Sequence, residues 1–406
     1  MRILFFHQNF PGQFPHIARH LAAESKNEVI AISQKQLTNL PNLTHIAYKP
    51  NRPVTKGVHH YLAGTEAAIL NGQSTTRIMQ DLKKKGFVPD LMIGHAAWGE
   101  TLYCKDIFPG SKLINYFEFF YHATGADTNF DPEFPITLND ELRIRTKNII
   151  NLLSLDNCDA GISPTLWQKS VYPSEYQQKI SVIHEGVNTE LVKPNPDATV
   201  TLADGRILTA KDKVITFGVR NLEPYRGFHT FMRAAEEICK RRKDCHILIF
   251  GGDGVSYGKA PPKGKTYRQQ MLEEVTVDQS RVHFLGRLPY AEYLKVLQIS
   301  SAHVYLTVPF VLSWSMLEAM SAGCLVIGSD TAPVREVIAH EKNGLLVDFF
   351  SPTGIADAVD RALNHTNELR TLRTAARNYV IEHYPVSRSI KQYEALLSKL
   401  INNQPK

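Results

Sequence analysis

The most constraining feature of this chain is a rhythm. Short β-branched or apolar runs recur along it, separated by stretches of helical periodicity. Such runs mark a parallel sheet wound by crossover helices, whose strands are buried on both faces and so lose the alternation of a half-exposed strand. In the first half they fall at residues 3–6, 29–32, 91–93, 113–116 and 181–183, and in the second at 214–217, 247–250, 282–285, 304–306, 326–327 and 345–347. The segment after 214–217 carries Phe228, Phe231, Ala235 and Ile238, one face of a helix that must pack on a sheet. A chain of 406 residues exceeds one ordinary core and suits two domains. The prolines of Lys193-Pro194-Asn195-Pro196-Asp197 can continue neither strand nor helix, which places the junction there. The expected organisation is 1–195, then 196–385, then a terminal helix in 386–406 whose Ile390, Tyr393, Leu396, Leu397 and Leu400 pack back on the N-terminal domain.

With 43% hydrophobic and 21% charged residues, the composition is that of a globular protein and excludes collagen-like or disordered chains. No apolar stretch of about 18 residues exists to span a membrane, and Gln8, Asn9 and Pro11 interrupt any signal-peptide core. A cytoplasmic location is expected. The five scattered cysteines lack CxxC spacing, which argues against a disulfide framework or a zinc cage, so no metal is expected. The net charge of +6 is spread along the chain and does not point to nucleic acid. Lysine and arginine clusters at 83–85 and 240–243 read as solvated helix ends, with peripheral contact to an anionic membrane left open.

Chemistry concentrates first in residues 217–227, Phe-Gly-Val-Arg-Asn-Leu-Glu-Pro-Tyr-Arg-Gly, which run from a strand into a helix. Arg220 and Arg226 frame a glycine-bearing turn at a helix N-terminus, where backbone N–H groups and the dipole favour anions. A guanidinium fork suits a diphosphate. Pairing of Arg220 with Glu223 is the structural alternative, and this segment alone weighs the two evenly.

A second segment, residues 309–323 with Leu317-Glu318-Ala319-Met320 at its centre, tips that balance. With Gly251-Gly252-Asp253-Gly254, Phe284-Leu285-Gly286, residues 333–338 and Asn343-Gly344-Leu345-Leu346-Val347, the chain resembles the retaining glycosyltransferases of family 4 along essentially its whole length. The N-terminal segments His7-Gln8-Asn9-Phe10-Pro11-Gly12-Gln13-Phe14 and Asp131-Pro132-Glu133-Phe134 are similar to one subgroup. The resemblance implies an α/β GT-B fold, two facing Rossmann-like domains with an interdomain cleft. It implies sugar transfer from a nucleoside diphosphate sugar, with uridine or guanosine as the base, to a hydroxyl-bearing glycan, glycolipid or small-molecule acceptor. By the same resemblance Arg220 and Arg226 hold the diphosphate, Glu318 receives the ribose hydroxyls, and the amides of Leu312, Ser313 and Trp314 complete the phosphate cradle. Gly252 and Leu288 lie near the nucleotide, Gly12 near donor or acceptor, and no metal cofactor is needed. A nucleotide-sugar epimerase and a non-catalytic sugar-nucleotide-binding protein are the alternatives.

Four residues carry a second reading. Ser315 and Glu318 fit a capping box, which would use the carboxylate structurally. Phe310 stands eight residues before Glu318, where many members have a glutamate, so sugar recognition differs there. Glu118, in place of a family histidine, sits among aromatics and is a candidate contact to the transferred sugar. His95 ends a strand, where open α/β sheets present ligand groups, but a lone histidine is more often structural; His7 and His122 have the same standing. The irregular stretch 122–135, with Asp127 and Asn129, is expected to shape the acceptor pocket.

Overall fold

The computed structural model describes residues 1–36, 39–262 and 264–402. It divides into two compact units, Met1–Gly186 with Val386–Lys406, and Val187–Pro385. The proline-bearing stretch at 193–197 therefore lies inside the second unit. It is tied there because Gln298 Nε2 donates to the Lys193 carbonyl and Ser321 Oγ to that of Val192.

In the first unit the parallel strands are β1 (Arg2–Phe6), β2 (Glu28–Ser33), β3 (Thr44–Ala47), β4 (Leu91–His95), β5 (Lys112–Tyr116), β6 (Ala160–Ser163) and β7 (Ile180–Val182). Their order is β3-β2-β1-β4-β5-β6-β7. The apolar runs of β1, β2, β4 and β5 became strands because helices cover both sheet faces. Two strands carry no such run. In β6, Ala-Gly-Ile-Ser is fully buried but too small and polar to announce itself, and β3 is a half-exposed edge strand. Helices α1 (Pro15–Ala23), α2 (Ala63–Lys84), α3 (Leu138–Lys147) and α4 (Ile149–Asn157) belong to this unit. Helix α1 starts at a proline, which is tolerated where no intrahelical N–H is needed, and buries Ile17, Ala18, Leu21 and Ala22.

The second unit repeats the design with β8 (Val214–Asn221), β9 (His246–Gly252), β10 (Val282–Gly286), β11 (Ala302–Tyr305), β12 (Val326–Ser329) and β13 (Leu345–Val347), ordered β10-β9-β8-β11-β12-β13. Helix α5 (Phe228–Arg241) buries Phe228, Phe231, Ala235 and Ile238, and the Phe231 ring stacks on Phe217 of β8 at 4.3 Å. Helix α6 (Trp314–Ser321) follows the loop after β11. The last helix, α7 (Val386–Asn402), sends Tyr393 and Leu397 into the core of the first unit, with Ile390, Leu396 and Leu400 packed against it. Residues 403–406 of the expected terminal segment lie outside the described residues. All five cysteines are buried thiols.

Both sheets reverse their strand order once, between β1 and β4 and between β8 and β11. At such a switch point the connections leave in opposite directions and open a crevice at the strands' carboxyl ends. In this chain those ends carry His7 to Phe14, His95 to Gly99, Arg220 to Gly227 and Leu306 to Ser313.

Candidate functional site

At the second unit's switch point lies a cavity of about 500 Å³. Its walls bring together Arg220, Leu288, Ser313, Trp314 and Glu318 with Gly251, Arg287, Tyr290 and Tyr293. Gly218 is required beneath it, since a Cβ there would fall 1.9 Å from the Phe250 ring. Gly251, rather than Gly252, lines the wall. A Cβ at Gly252 would meet Arg287 Nε at 2.4 Å, so Gly252 makes room for that arginine.

The two arginines of the 218–227 turn have parted. Arg220 is exposed toward the cavity, and its side chain has no ion pair among the described residues. Glu223, the carboxylate weighed as its partner, instead accepts the backbone N–H groups of Ser256, Tyr257 and Gly258 at 3.0–3.2 Å and pins that loop. Arg226 is buried behind the wall. Its Nη1 donates to Thr307 Oγ1 at 2.9 Å and to the Val311 carbonyl at 3.0 Å, and the guanidinium lies over the rings of Tyr257 and Phe310. The expectation that it reaches into the site is corrected: it braces the loop after β11, drawn inward by acceptors and aromatic faces supplied from 80 residues on. Phe310, where a carboxylate was anticipated by resemblance, is buried as part of that aromatic brace.

Glu318 sits within the cavity. Tyr290 Oη donates to its Oε1 at 2.6 Å and Tyr293 Oη to its Oε2 at 2.8 Å. Burial raises its pKa, and the two tyrosine hydrogen bonds oppose that shift. The capping box does not form. Helix α6 is capped by Ser313, whose side chain accepts from the Ser315 N–H, which puts Glu318 beyond the first turn. The Ser313 amide is also taken, donating to Tyr305 Oη at 2.8 Å, and Leu312 is buried in the core rather than on the wall. Arg287, Tyr290 and Tyr293 escaped the sequence reading. The signal was present in the position of Arg287 directly after the strand ending at Gly286, but a tyrosine pair becomes a carboxylate's partner only through folding.

The first unit's switch point assembles a polar chain from three separate segments. The Asn9 N–H donates to His7 Nδ1 at 3.0 Å, which assigns the proton to Nε2, and Nε2 meets Gln13 Oε1 at 2.6 Å. Gln13 Nε2 then donates to Glu118 Oε1 at 3.2 Å. His95 is set the same way: Ala97 N–H donates to its Nδ1 at 3.1 Å, leaving Nε2–H directed at Glu118 Oε2, 3.9 Å away. That Nε2 is buried without a hydrogen-bond partner. Such a group is costly to leave unpaired and is commonly satisfied by a ligand or water. Trp98 stacks on His95 with centroids 4.1 Å apart. Gly12 has φ +52° and lies so close that a Cβ would fall 2.0 Å from His7 Nε2.

Glu118 is 29% exposed in its side chain, not enclosed by the surrounding phenylalanines. Its loop is held by Gln168 Nε2 on the Glu118 carbonyl and Asn151 Nδ2 on that of Phe119. His122 bonds the Val171 carbonyl and stands apart from this chain of contacts. Asp127 is buried and Asn129 takes φ +59° in the irregular stretch.

Burial lowers the pKa of His7 to about 4, against the opposing hydrogen bonds from Gln13 and Asn9, and lowers His303 to about 4. Each therefore binds a proton more readily unfolded, near the ordinary 6.5, than folded. Stability is expected to be intact above pH 6.5 and to fall as the pH drops toward 4, by about 3 kcal/mol for each histidine. Thermal unfolding across that window checks this, and His7→Gln should flatten the slope.

Two families match the chain: the Glycosyl transferase family 4 group over residues 25–192, and the Glycosyl transferases group 1 over residues 203–379. A curated relative, the D-inositol 3-phosphate glycosyltransferase of Corynebacterium glutamicum, is 29% identical over 189 residues, 46% of this chain and 44% of that protein. The chain spans about half the length of the curated relatives it matches. Among solved structures, sucrose-phosphate synthase from Thermosynechococcus elongatus superposes with a TM-score of 0.74 at 18% identity over 100% of both chains. Anabaena HepE, solved with UDP and glucose, reaches 0.70 at 14% identity, covering 98% of this chain and 100% of that one. At these identities the likeness is one of fold. No described helix is long and apolar enough to cross a membrane. With a family match in each of its two Rossmann-like units, the chain belongs to the family 4, group 1 glycosyltransferases of the GT-B fold.

Proposed function

We propose that the chain transfers a sugar from a nucleoside diphosphate donor to a hydroxyl acceptor, with retention of anomeric configuration. One observation carries this reading: the second unit's cavity sets Arg220 and Arg287 on one wall and a carboxylate, Glu318, on another. Guanidinium groups match a diphosphate, and a carboxylate held by two tyrosines retains lone pairs for the ribose hydroxyls. As the bond from the anomeric carbon to the diphosphate oxygen breaks, negative charge grows on the leaving group, and cations already in place stabilise it. The acceptor oxygen forms the new bond to the anomeric carbon. Its proton passes to a phosphate oxygen of the departing diphosphate, so no separate base is required. Arg226 holds the loop that shapes this wall.

Uridine diphosphate, the nucleotide named with HepE, is the first donor to test, and the donor reading extends to guanosine. Glu318 is the sole acidic side chain among the described residues lining the cavity, and both its oxygens already accept hydrogen bonds. A hard divalent ion takes six or more oxygens, so the donor charge is assigned to arginine rather than metal. The test is release of nucleoside diphosphate from a panel of nucleotide sugars, with and without acceptors, in magnesium and in EDTA. The expected result is acceptor-dependent release at equal rates in both. Conversion of the donor sugar without acceptor would instead support an epimerase. Binding without turnover on every acceptor would support a non-catalytic role.

A further inference from the structure

A second cavity, of about 380 Å³, lies wholly within the first unit, between α2, α3, α4 and the turn after β4. Its lining includes Gln8, Thr65, Trp98, Tyr121, Arg143 and Lys147, and among the described residues that line it there is no aspartate or glutamate. Arg143 and Lys147 stand one turn apart on α3, a spacing at which like charges repel. Neither is neutralised locally. Lys147 has no carboxylate within 4.0 Å among the described residues, and its Nζ lies 3.4 Å from the centroid of the Tyr121 ring. The carboxylate near Arg143 is Asp140 at 3.9 Å, whose other oxygen accepts the Thr137 N–H and O–H.

The site is built, not merely charged. Asn148 Oδ1 accepts the Tyr121 N–H at 2.9 Å and its Nδ2 donates to the Tyr121 carbonyl at 2.8 Å, which fixes the ring under the ammonium. Solvent reaches Lys147 through the cavity, yet the protein around it desolvates the ammonium and pulls its pKa down to about 8, with Asp127 opposing and Arg143 assisting. The cavity also adjoins the polar chain at the switch point. Trp98 lines it while stacking on His95, and Gln8 directly follows His7.

We propose that this cavity is the anion subsite of the acceptor. It receives the oxyanion group, phosphate or carboxylate, of a small polyhydroxyl acceptor on Lys147 and Arg143, while an acceptor hydroxyl reaches His95 Nε2 and Glu118 beyond Trp98. The proposal rests on the transfer reading for the word acceptor, but the binding it requires is separable from donor binding.

Calorimetric titration of the full chain with glucose, glucose 6-phosphate and gluconate tests it, with UDP titrated in parallel. The three sugars share a polyhydroxyl frame and differ in bearing no anion, a phosphate or a carboxylate, so the two charged arms also identify which oxyanion is preferred. At least one anionic sugar should bind about tenfold or more tightly than glucose. Lys147→Met should remove that advantage, Lys147→Arg should keep it within about threefold, and UDP affinity should be the same in all three proteins. Equal affinity for glucose and both anions, or an anion affinity untouched by Lys147→Met, overturns the subsite. Failure of the wild-type chain to bind UDP would count against the donor cavity, and the sugar titrations would still decide this one.

Discussion

Arg220→Ala is expected to lower the rate of transfer by a factor on the order of 100 to 1,000, the range found when one preorganised donor to a developing negative charge is removed. Its thermal stability should stay nearly unchanged, because the side chain is exposed and has no partner to abandon. Arg226→Ala should behave differently. It strips donors from Thr307 Oγ1 and the Val311 carbonyl inside the wall, and each buried acceptor left unpaired costs about 1–3 kcal/mol. That variant should lose activity and unfold several degrees lower. Initial rates of nucleoside diphosphate release, set beside unfolding curves for both proteins, separate the two roles. If Arg226→Ala kept its melting temperature while losing donor affinity, the bracing role would be wrong and direct contact restored.

The second large effect concerns Gly12. At φ +52° a side chain is strained by roughly 1–2 kcal/mol, and the Cβ of Gly12→Ala would overlap His7 Nε2. The His7 ring has little room to yield, being 2% exposed and packed edge-on against Trp98. Its displacement breaks the contact to Gln13 and, through Gln13, releases one hold on Glu118. Acceptor KM should rise about tenfold or more while donor KM moves less than about twofold, a change near 1.4 kcal/mol confined to one substrate. Equal changes in both constants would show that this chain of contacts does not serve the acceptor.

Much of the fold was readable from the sequence because its physical cause is local. A run such as residues 247–250 is apolar on both faces only if helices cover both, and the period of Phe228, Phe231, Ala235 and Ile238 requires a sheet beneath. Where the cause was not local the reading failed. Strand β6 is buried by its neighbours rather than by its own hydrophobicity. Ser315 and Glu318 have the spacing of a capping box, but Ser313 begins the helix two residues earlier, and the capping geometry follows that start. The division between the units at Gly186 and Val187 depends on which core later segments join, a property that no turn composition encodes.

The same boundary runs through the sites. By itself the sequence determined two parallel α/β sheets, the family, and the segments near each switch point, because chemistry at strand ends is contiguous and keeps its spacing. Only the tertiary structure decided which groups face the cavities. Arg220 and Arg226 are six residues apart, and packing against Tyr257, Thr307 and Phe310 turned one into a wall brace and left the other free. Glu318 gained its tyrosines, and Glu118 its link through Gln13 to His7, from segments far away in the chain. Hydrogen bonds of that kind depend on where distant backbones converge, and residue order alone does not specify the convergence.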